Sequence, residues 1–336
     1  MDIKTRLISL ARRSSPTALG TSAFVVGVGL VVYMLQGSTP AVTQQLGDVG
    51  EAPLLPTSCQ LPLLVSDLRV AFRERSPAAQ RYVRDILVDT AAAASLDDLQ
   101  SLVAQEQDAR VLEVVSQAVV SRSHTLQRFG DATELQPLLE RLDTEKIPEL
   151  RAALIRPLAA TLEPVQGLYS DLIRDPSSEV REAVAEVVVA GEKISHGNIQ
   201  EFAERAISVA VAAQEVDPDA GARILEQEDI KTASEEAISS LLTLLEVENS
   251  RLRGAAAIAL GTVSVTQAER TTNALVARYQ IEPDRTVRSN ILQAIVHIGF
   301  SRAIPTLELL RNTDTALNRE IDLWLLALEE NWQEWE

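Results

Sequence analysis

The sequence predicts an all-α protein, an α-solenoid of about six or seven stacked helix pairs preceded by one transmembrane helix. The composition favours helices over a β-sandwich, because 46 % of the 336 residues are hydrophobic but only 4 % are aromatic. From residue 63 to the C-terminus, apolar residues recur at the three- and four-residue spacings of amphipathic helices. A short sequence pattern, called the phrase below, also recurs along this region, which indicates a repeat.

The returning phrase is an acid, a proline, a short polar bend and then Val-Arg before an apolar run. It is clearest in DPSSEVREAVAEVVV, residues 175–189, and EPDRTVRSNILQAIV, residues 282–296. Apolar-Arg pairs that open a helix occur at Val83-Arg84, Leu150-Arg151, Val180-Arg181, Leu252-Arg253 and Val287-Arg288. The longest gap, about 72 residues, fits two units with a degenerate member near 217–225. Such spacing is typical of helical arrays, in which one pair cannot bury its apolar face alone.

These segments resemble HEAT repeats and the similar repeats of the armadillo class. The resemblance is strong at about 170–192 and 240–311, moderate at 137–162 and weak at 63–125. It implies an α-solenoid with an extended binding surface. It also implies that the arginine of each phrase reaches back to the acidic turn of a neighbouring repeat, so that charged pairs form a ladder along the array.

Five residues are predicted to form this structural ladder: Asp175, Arg181, Arg253, Asp284 and Arg288. The best-formed sets are expected to be Asp175 with Arg181 and Asp284 with Arg288. Asn249 replaces the acid beside Arg253, which is expected to weaken that pairing. The turn acids are also expected to accept hydrogen bonds from the free N–H groups that begin each second helix.

A long uncharged segment lies near the N-terminus. Residues 18–35, ALGTSAFVVGVGLVVYML, would extend about 27 Å as a helix, close to the thickness of the hydrocarbon core of a bilayer. Basic residues dominate the preceding residues 1–17, which predicts a cytoplasmic tail with the rest of the chain outside the cytoplasm. The length of the segment favours a retained anchor, and cleavage as a signal peptide is the alternative.

The remaining domain boundaries follow from proline, glycine and tryptophan. Residues 36–62 hold four prolines and three glycines and are predicted to be a flexible linker. The solenoid then occupies residues 63–336 and ends in a Trp-rich cap helix. Its tryptophans, Trp324, Trp332 and Trp335, fall on one stripe of that helix. They are expected either to seal the last repeat or to bind a partner.

Nothing in the sequence indicates an active site, a cofactor site or a metal site. The three histidines, His124, His196 and His297, have neither metal-binding nor nucleophilic spacing, and no glycine-rich phosphate loop occurs. We therefore expect no catalytic residue, no cofactor, no metal and no enzymatic activity. The net charge of −17 also argues against nucleic-acid binding, which needs a basic surface.

These observations predict a single-pass protein of the inner (plasma) membrane that acts as a protein-binding scaffold or adaptor. Its solenoid would lie in the periplasm or another extracytoplasmic space. Its partners would be envelope or membrane proteins with basic surfaces, attracted by the acidic charge. Two alternatives stay open. One is a HEAT-like enzyme of the phycobilin-lyase or alkylpurine-glycosylase type, and the other is a passive structural spacer.

Overall fold

The computed structural model describes residues 57–128, 130–191, 199–226, 230, 234–262 and 267–331. All of them belong to one compact unit, Leu55–Glu336. The predicted tail 1–17, the predicted anchor 18–35 and the predicted linker up to residue 56 lie outside the described residues. Among the described residues, no helix combines the length and the apolar character that crossing a membrane requires.

The described residues form sixteen α-helices and no strand. In chain order they are α1 Thr57–Arg73, α2 Pro77–Ala92, α3 Leu96–Gln105, α4 Ala109–Thr125, α5 Gln136–Thr144, α6 Pro148–Ile155, α7 Leu168–Leu172, α8 Ser178–Gly191, α9 Ile199–Ala213, α10 Pro218–Leu225, α11 Glu235–Leu244, α12 Ser250–Leu260, α13 Ala268–Ile281, α14 Arg285–Gly299, α15 Ile304–Thr313 and α16 Asn318–Asn331. Two short 3-10 helices, Arg156–Ala160 and Phe300–Ala303, follow α6 and α14.

The helices form pairs whose members lie in two layers. Each even-numbered helix packs against the next even-numbered one from α2 to α16, which defines the even layer. Odd-numbered neighbours meet from α3 to α5 and from α7 to α13, which defines the odd layer. The described residues thus contain eight pairs rather than the six or seven predicted, because the weakly patterned region before residue 125 supplies two complete pairs. A continuous apolar core lies between the layers.

Close packing within the even layer depends on small side chains. In α12 the residues Ala255, Ala256, Ala257 and Ala259 are each no more than 2 % exposed. Alanine side chains let neighbouring helix backbones approach, so α12 contacts both α10 and α14. The degenerate unit predicted near 217–225 is confirmed as α10, whose N-cap side chain Asp217 accepts a hydrogen bond from the Ala220 amide at 3.0 Å.

The first described helix begins inside the segment predicted as linker, so that boundary is wrong. Helix α1 starts at Thr57 and contains Pro62. A proline inside a helix costs about 3 kcal/mol. Leu61, Val65 and Leu68 lie on one face of α1 and are at most 3 % exposed. Burying three such side chains stabilises the helix by roughly 1.5–3 kcal/mol each, which outweighs the proline.

Two glycines in the loops of the array offer a matched test of backbone constraint. Gly130 has φ +69° and a Cβ added there would lie 2.9 Å from the Leu162 Cβ, whereas Gly167 has φ +82° and open space around it. Both positions have a positive φ, which glycine adopts readily and alanine does not, so both alanine variants should be strained. We expect Gly167→Ala to cost about 1 kcal/mol and Gly130→Ala about 1–3 kcal/mol more, measured by urea unfolding. Equal losses would contradict the close contact with Leu162.

Candidate functional site: the arginine ladder and its interruption

The turns that join each odd helix to its even partner carry a row of arginines. Arg151, Arg253 and Arg288 each lie four residues after the N-cap of their even helix. The amide of Arg181 likewise donates to the carbonyl four residues earlier, that of Ser177, at 3.2 Å. The position is thus shared by four even helices, α6, α8, α12 and α14. Each side chain therefore starts from an equivalent point at the same edge of the array.

Each arginine connects two consecutive turns. The Arg253 guanidinium donates to the carbonyl oxygens of Val247 and Glu248 in its own turn, at 2.8 and 2.6 Å. It also forms two hydrogen bonds with the Glu282 carboxylate in the next turn, at 2.7 and 2.8 Å. Arg181 repeats this arrangement, with two carbonyls of its own turn at 2.9 Å and Asp217 of the next turn at 3.0 Å. A guanidinium suits this double task because its five donors form a rigid fork.

Two further pairs complete the ladder among the described residues. Arg151 pairs with Asp175, and Arg288 pairs with Asp314 at 2.7 Å. In all four cases the acid lies in the turn that follows the arginine along the chain. We call each arginine with its acid a rung.

The predicted pairings within the ladder are therefore wrong in direction. Asp175 receives Arg151 of the preceding pair, while only its backbone carbonyl contacts Arg181. Asp284 caps α14 by accepting hydrogen bonds from Thr286 and Val287 at 2.8 and 3.2 Å, rather than pairing with Arg288. Each arginine pairs with an acid about one repeat further along the chain. Choosing the acid nearest in sequence therefore gave the wrong partner.

The rung expected to be weak is the most buried. The side chains of Arg253 and Glu282 are 7 % and 0 % exposed. Asn249 is the N-cap of α12 and accepts a hydrogen bond from the Leu252 amide, so it has no part in holding Arg253. Glu282 also pairs with Arg278 at 2.7 Å, and Arg278 in turn pairs with Glu246 at 3.0 Å. Two arginines thus share one buried carboxylate.

Burial alone would raise the pKa of Glu282. Hydrogen bonds from Arg253, from the Asp284 amide and from Arg278 outweigh it and lower the pKa to about 2. Because the folded-state pKa lies below the unfolded value of 4.5, the contribution of Glu282 is complete above pH 4.5 and is lost as the pH falls toward 2. The Arg253–Glu282 rung is therefore sensitive to acid.

This pH dependence is measurable as a difference between two proteins. We expect the gap in unfolding free energy between the wild type and Glu282→Gln to be constant above about pH 5 and to shrink steadily below it. Urea unfolding at a series of pH values measures this difference. A gap that stays constant down to about pH 2.5 would show that Glu282 has an ordinary pKa in the folded state.

The ladder is interrupted between α10 and α12. Gly221 lies four residues after the N-cap Asp217, at the position where α6, α8, α12 and α14 carry arginine. Val247 lies two residues before the N-cap Asn249, where Glu282 lies relative to Asp284. Both halves of the rung are thus replaced together. A Cβ on Gly221 would lie 3.1 Å from the Ala210 carbonyl oxygen, so the close packing of α9 and α10 favours glycine there.

An open groove lies at this interruption. It has a volume of about 710 Å³ and is lined by Gln214, Glu215, Pro218, Val247, Glu248 and Asn249. We call it the gap groove. Glu215 and Glu248 are exposed, and among the described residues neither carboxylate has an ion-pair partner. The groove therefore presents two carboxylates without an ion-pair partner in the described part of the chain. Each bounding turn also contacts a rung arginine, Arg181 at Asp217 and Arg253 at the carbonyl groups of Val247 and Glu248, and each of these arginines pairs with its own acid.

The predicted aromatic stripe is only partly described. Trp324 is half-buried against the core, and its ring meets that of His297 edge-on at 6.4 Å. Ile321 and Leu325, on the same helix α16, are buried. Trp324 thus contributes to closing the last pair. Trp332 and Trp335 lie outside the described residues, as does His196, and the use of the stripe in partner binding stays a prediction.

Comparison with known protein families gives one match. The family described as HEAT repeats matches residues 215–296, which contain helices α10 to α13, most of α14 and five of the six residues that line the gap groove. Together with the helix pairs, this match supports a HEAT-type helical repeat protein. No curated protein matches the chain. The match includes the unit with the interrupted rung, so the repeat pattern is recognisable without that rung.

Sequence reasoning missed four residues of the ladder: Arg151, Asp217, Glu282 and Asp314. Their signal was present, since an acid follows each ladder arginine after 24–36 residues, about one repeat. It could have been found by aligning each arginine with the next turn instead of its own. Among the described residues, no group of three or more His, Cys, Asp or Glu side chains could hold a metal ion.

Proposed function

We propose that this HEAT-type protein is a non-enzymatic scaffold that binds other proteins through the surface of its helix pairs. The observation that carries the proposal is the repeat architecture itself. Stacked pairs expose long continuous surfaces and share one core, and proteins of this kind use such surfaces for binding. The buried charged residues of the described part of the chain all have ion-pair partners, in the rungs and in pairs such as Arg69–Glu106 and Arg122–Glu134.

The partners are proposed to be proteins with basic surfaces. The chain has 48 acidic and 31 basic residues, which gives a net charge of −17. Several exposed carboxylates, including Glu215 and Glu248, lack an ion-pair partner among the described residues. An acidic surface attracts basic partners over distances comparable with the Debye length of about 8 Å at physiological salt. Binding should therefore weaken as salt is added.

We further propose that residues 18–35 anchor the protein in the inner membrane, with residues 1–17 in the cytoplasm and the solenoid outside it. The support is the uncharged length of that segment and the basic residues before it. Alkaline phosphatase, fused at the C-terminus, tests the orientation because it is active only after export. An inactive fusion would favour the alternative of a cytosolic HEAT-like enzyme.

The membrane anchor has a matched control. Lysine replacing both Val25 and Val28 places two charges in the centre of the segment, at a cost of about 2.5–3.5 kcal/mol each for insertion. We expect the intact wild-type chain to stay with vesicles after a high-salt wash and the double variant to be released. Release of both proteins would contradict the anchor.

Crosslinking in intact cells followed by purification of the full chain tests the scaffold itself. A scaffold should yield the same crosslinked proteins in repeated experiments, and their number should fall as salt is added before crosslinking. The passive spacer is the competing interpretation. It predicts no reproducible crosslinked protein under any condition.

A further inference from the structure

We propose that the gap groove binds an arginine side chain from a partner protein, which takes the place of the missing rung. This inference rests on the proposed scaffold function and specifies a site and the chemistry of the partner. It starts from the equivalence of the turns. In two flanking pairs, an arginine of the chain itself fills the corresponding position between consecutive turns.

The neighbouring rungs show which groups hold a guanidinium at this edge. Arg181 and Arg253 each donate to two carbonyl groups, those of the residues one and two positions before the N-cap. In the turn that precedes α10, the N-cap is Asp217 and the corresponding carbonyl groups belong to Glu215 and Val216. Carbonyl groups are therefore present at the same two sequence positions, and Glu215 lines the gap groove, while the residue at the arginine position is Gly221.

The charge at the gap groove favours a cation from outside. Val247 replaces the acid of the rung, but Glu215 and Glu248 place an exposed carboxylate on each of the two turns that bound the groove. Glu215 follows α9 and Glu248 precedes α12, and both line the groove. Intact rungs such as Arg181–Asp217 neutralise the corresponding charge within the chain.

The groove selects arginine over lysine for a geometric reason. A guanidinium can donate to a carbonyl group and to a carboxylate in different directions at once, as Arg253 does with Glu248 and Glu282. The ammonium of lysine is a compact, strongly hydrated point charge and cannot reproduce this planar fork. The partner is therefore expected to present an arginine on an exposed segment that enters the open side of the groove.

A pair of matched double variants tests the site in the full chain. Glu215→Gln with Glu248→Gln removes the two groove carboxylates, and Glu308→Gln with Glu329→Gln removes two exposed carboxylates of the last pair. All four glutamates are exposed, and both double variants change the net charge equally. Thermal unfolding checks that the variants keep the stability of the wild type.

The probe is a fluorescent peptide, Gly-Ser-Leu-Arg-Ser-Gly, with a twin that carries lysine instead, and anisotropy measures binding at about 0.1 M salt. We expect the arginine peptide to bind the wild type and the last-pair variant equally and the groove variant about tenfold more weakly. The lysine twin should bind the wild type about fivefold more weakly. Equal weakening by both double variants, equal binding of both peptides, or no binding to the wild type would overturn the proposal.

Crosslinking with the groove variant separates this inference from the scaffold function. If the wild type captures proteins and the groove variant captures them less efficiently, both stand. Equal capture by the two proteins keeps the scaffold and refutes the arginine site. Capture by neither refutes the scaffold, and the peptide experiment then decides the groove independently.

Discussion

Replacing Glu282 by glutamine should lower the free energy of unfolding by about 3–5 kcal/mol, because it leaves two buried arginines without their carboxylate. The side chains of Arg253 and Arg278 are 7 % and 12 % exposed and both donate to Glu282. Glutamine keeps the shape of glutamate but has no charge, so the loss reports on electrostatics and hydrogen bonding rather than on a cavity. Urea unfolding followed by circular dichroism measures it.

The matched control is Glu246→Gln, which also removes a carboxylate that pairs with Arg278. The side chain of Glu246 is 64 % exposed, so its ion pair is largely screened by water and should contribute less than about 1 kcal/mol. Similar losses for the two variants would mean that burial gives the Arg253–Glu282 rung no special weight.

The second large effect concerns the contact between consecutive pairs. Leu252 in α12 is fully buried and lies against α10, where its Cδ1 would be 3.4 Å from a Cβ on Gly221. Leu252→Ala should cost about 2–5 kcal/mol, through the lost transfer of the side chain from water and the cavity left behind. No rung among the described residues crosses this contact, and the ion pair that links α12 to the C-cap of α10, Arg251–Glu226, is exposed and should contribute less than about 1 kcal/mol.

The form of the unfolding curve should also change in Leu252→Ala. In a helical array each pair contacts only its neighbours, and weakening one contact uncouples the segments on its two sides. We expect one calorimetric transition in the wild type and two in the variant. Leu309→Ala is the control, because Leu309 is 55 % exposed and its truncation should cost less than about 1 kcal/mol and keep one transition. A single transition in both variants would contradict the uncoupling.

The sequence predicted the helix pairs because their determinants are local. Polar caps, apolar spacing and the Val-Arg phrase all act within one or two turns of helix, and they located even the degenerate unit α10. The start of α1 was missed because Pro62 outweighed the apolar spacing of Leu61, Val65 and Leu68. Their burial depends on neighbouring helices, which a local pattern does not contain.

The ladder was harder to predict than the helices for the same reason. Which acid meets Arg181 depends on how far one pair advances relative to the next, and that distance is set by packing. The phrase contained the four ladder arginines, but it also included Arg84, which lies eight residues after the N-cap of α2. It could not distinguish an acid that caps a helix, such as Asp284, from one that receives an arginine, such as Glu282. The gap groove was not predicted because it depends on the residues at two positions, Gly221 and Val247, which lie in different repeats.

The forward direction of the rungs bears on how such a chain can change in length. The turn and first helical residues of α8 contain both the acid that pairs with the preceding arginine, Asp175, and the arginine that pairs with the following acid, Arg181. Tandem duplication of this repeat in the gene would insert one new acid and one new arginine in the same order. Every rung in the enlarged protein would still have both members, so the array can gain or lose a repeat of this kind without leaving an unpaired ion in its interior.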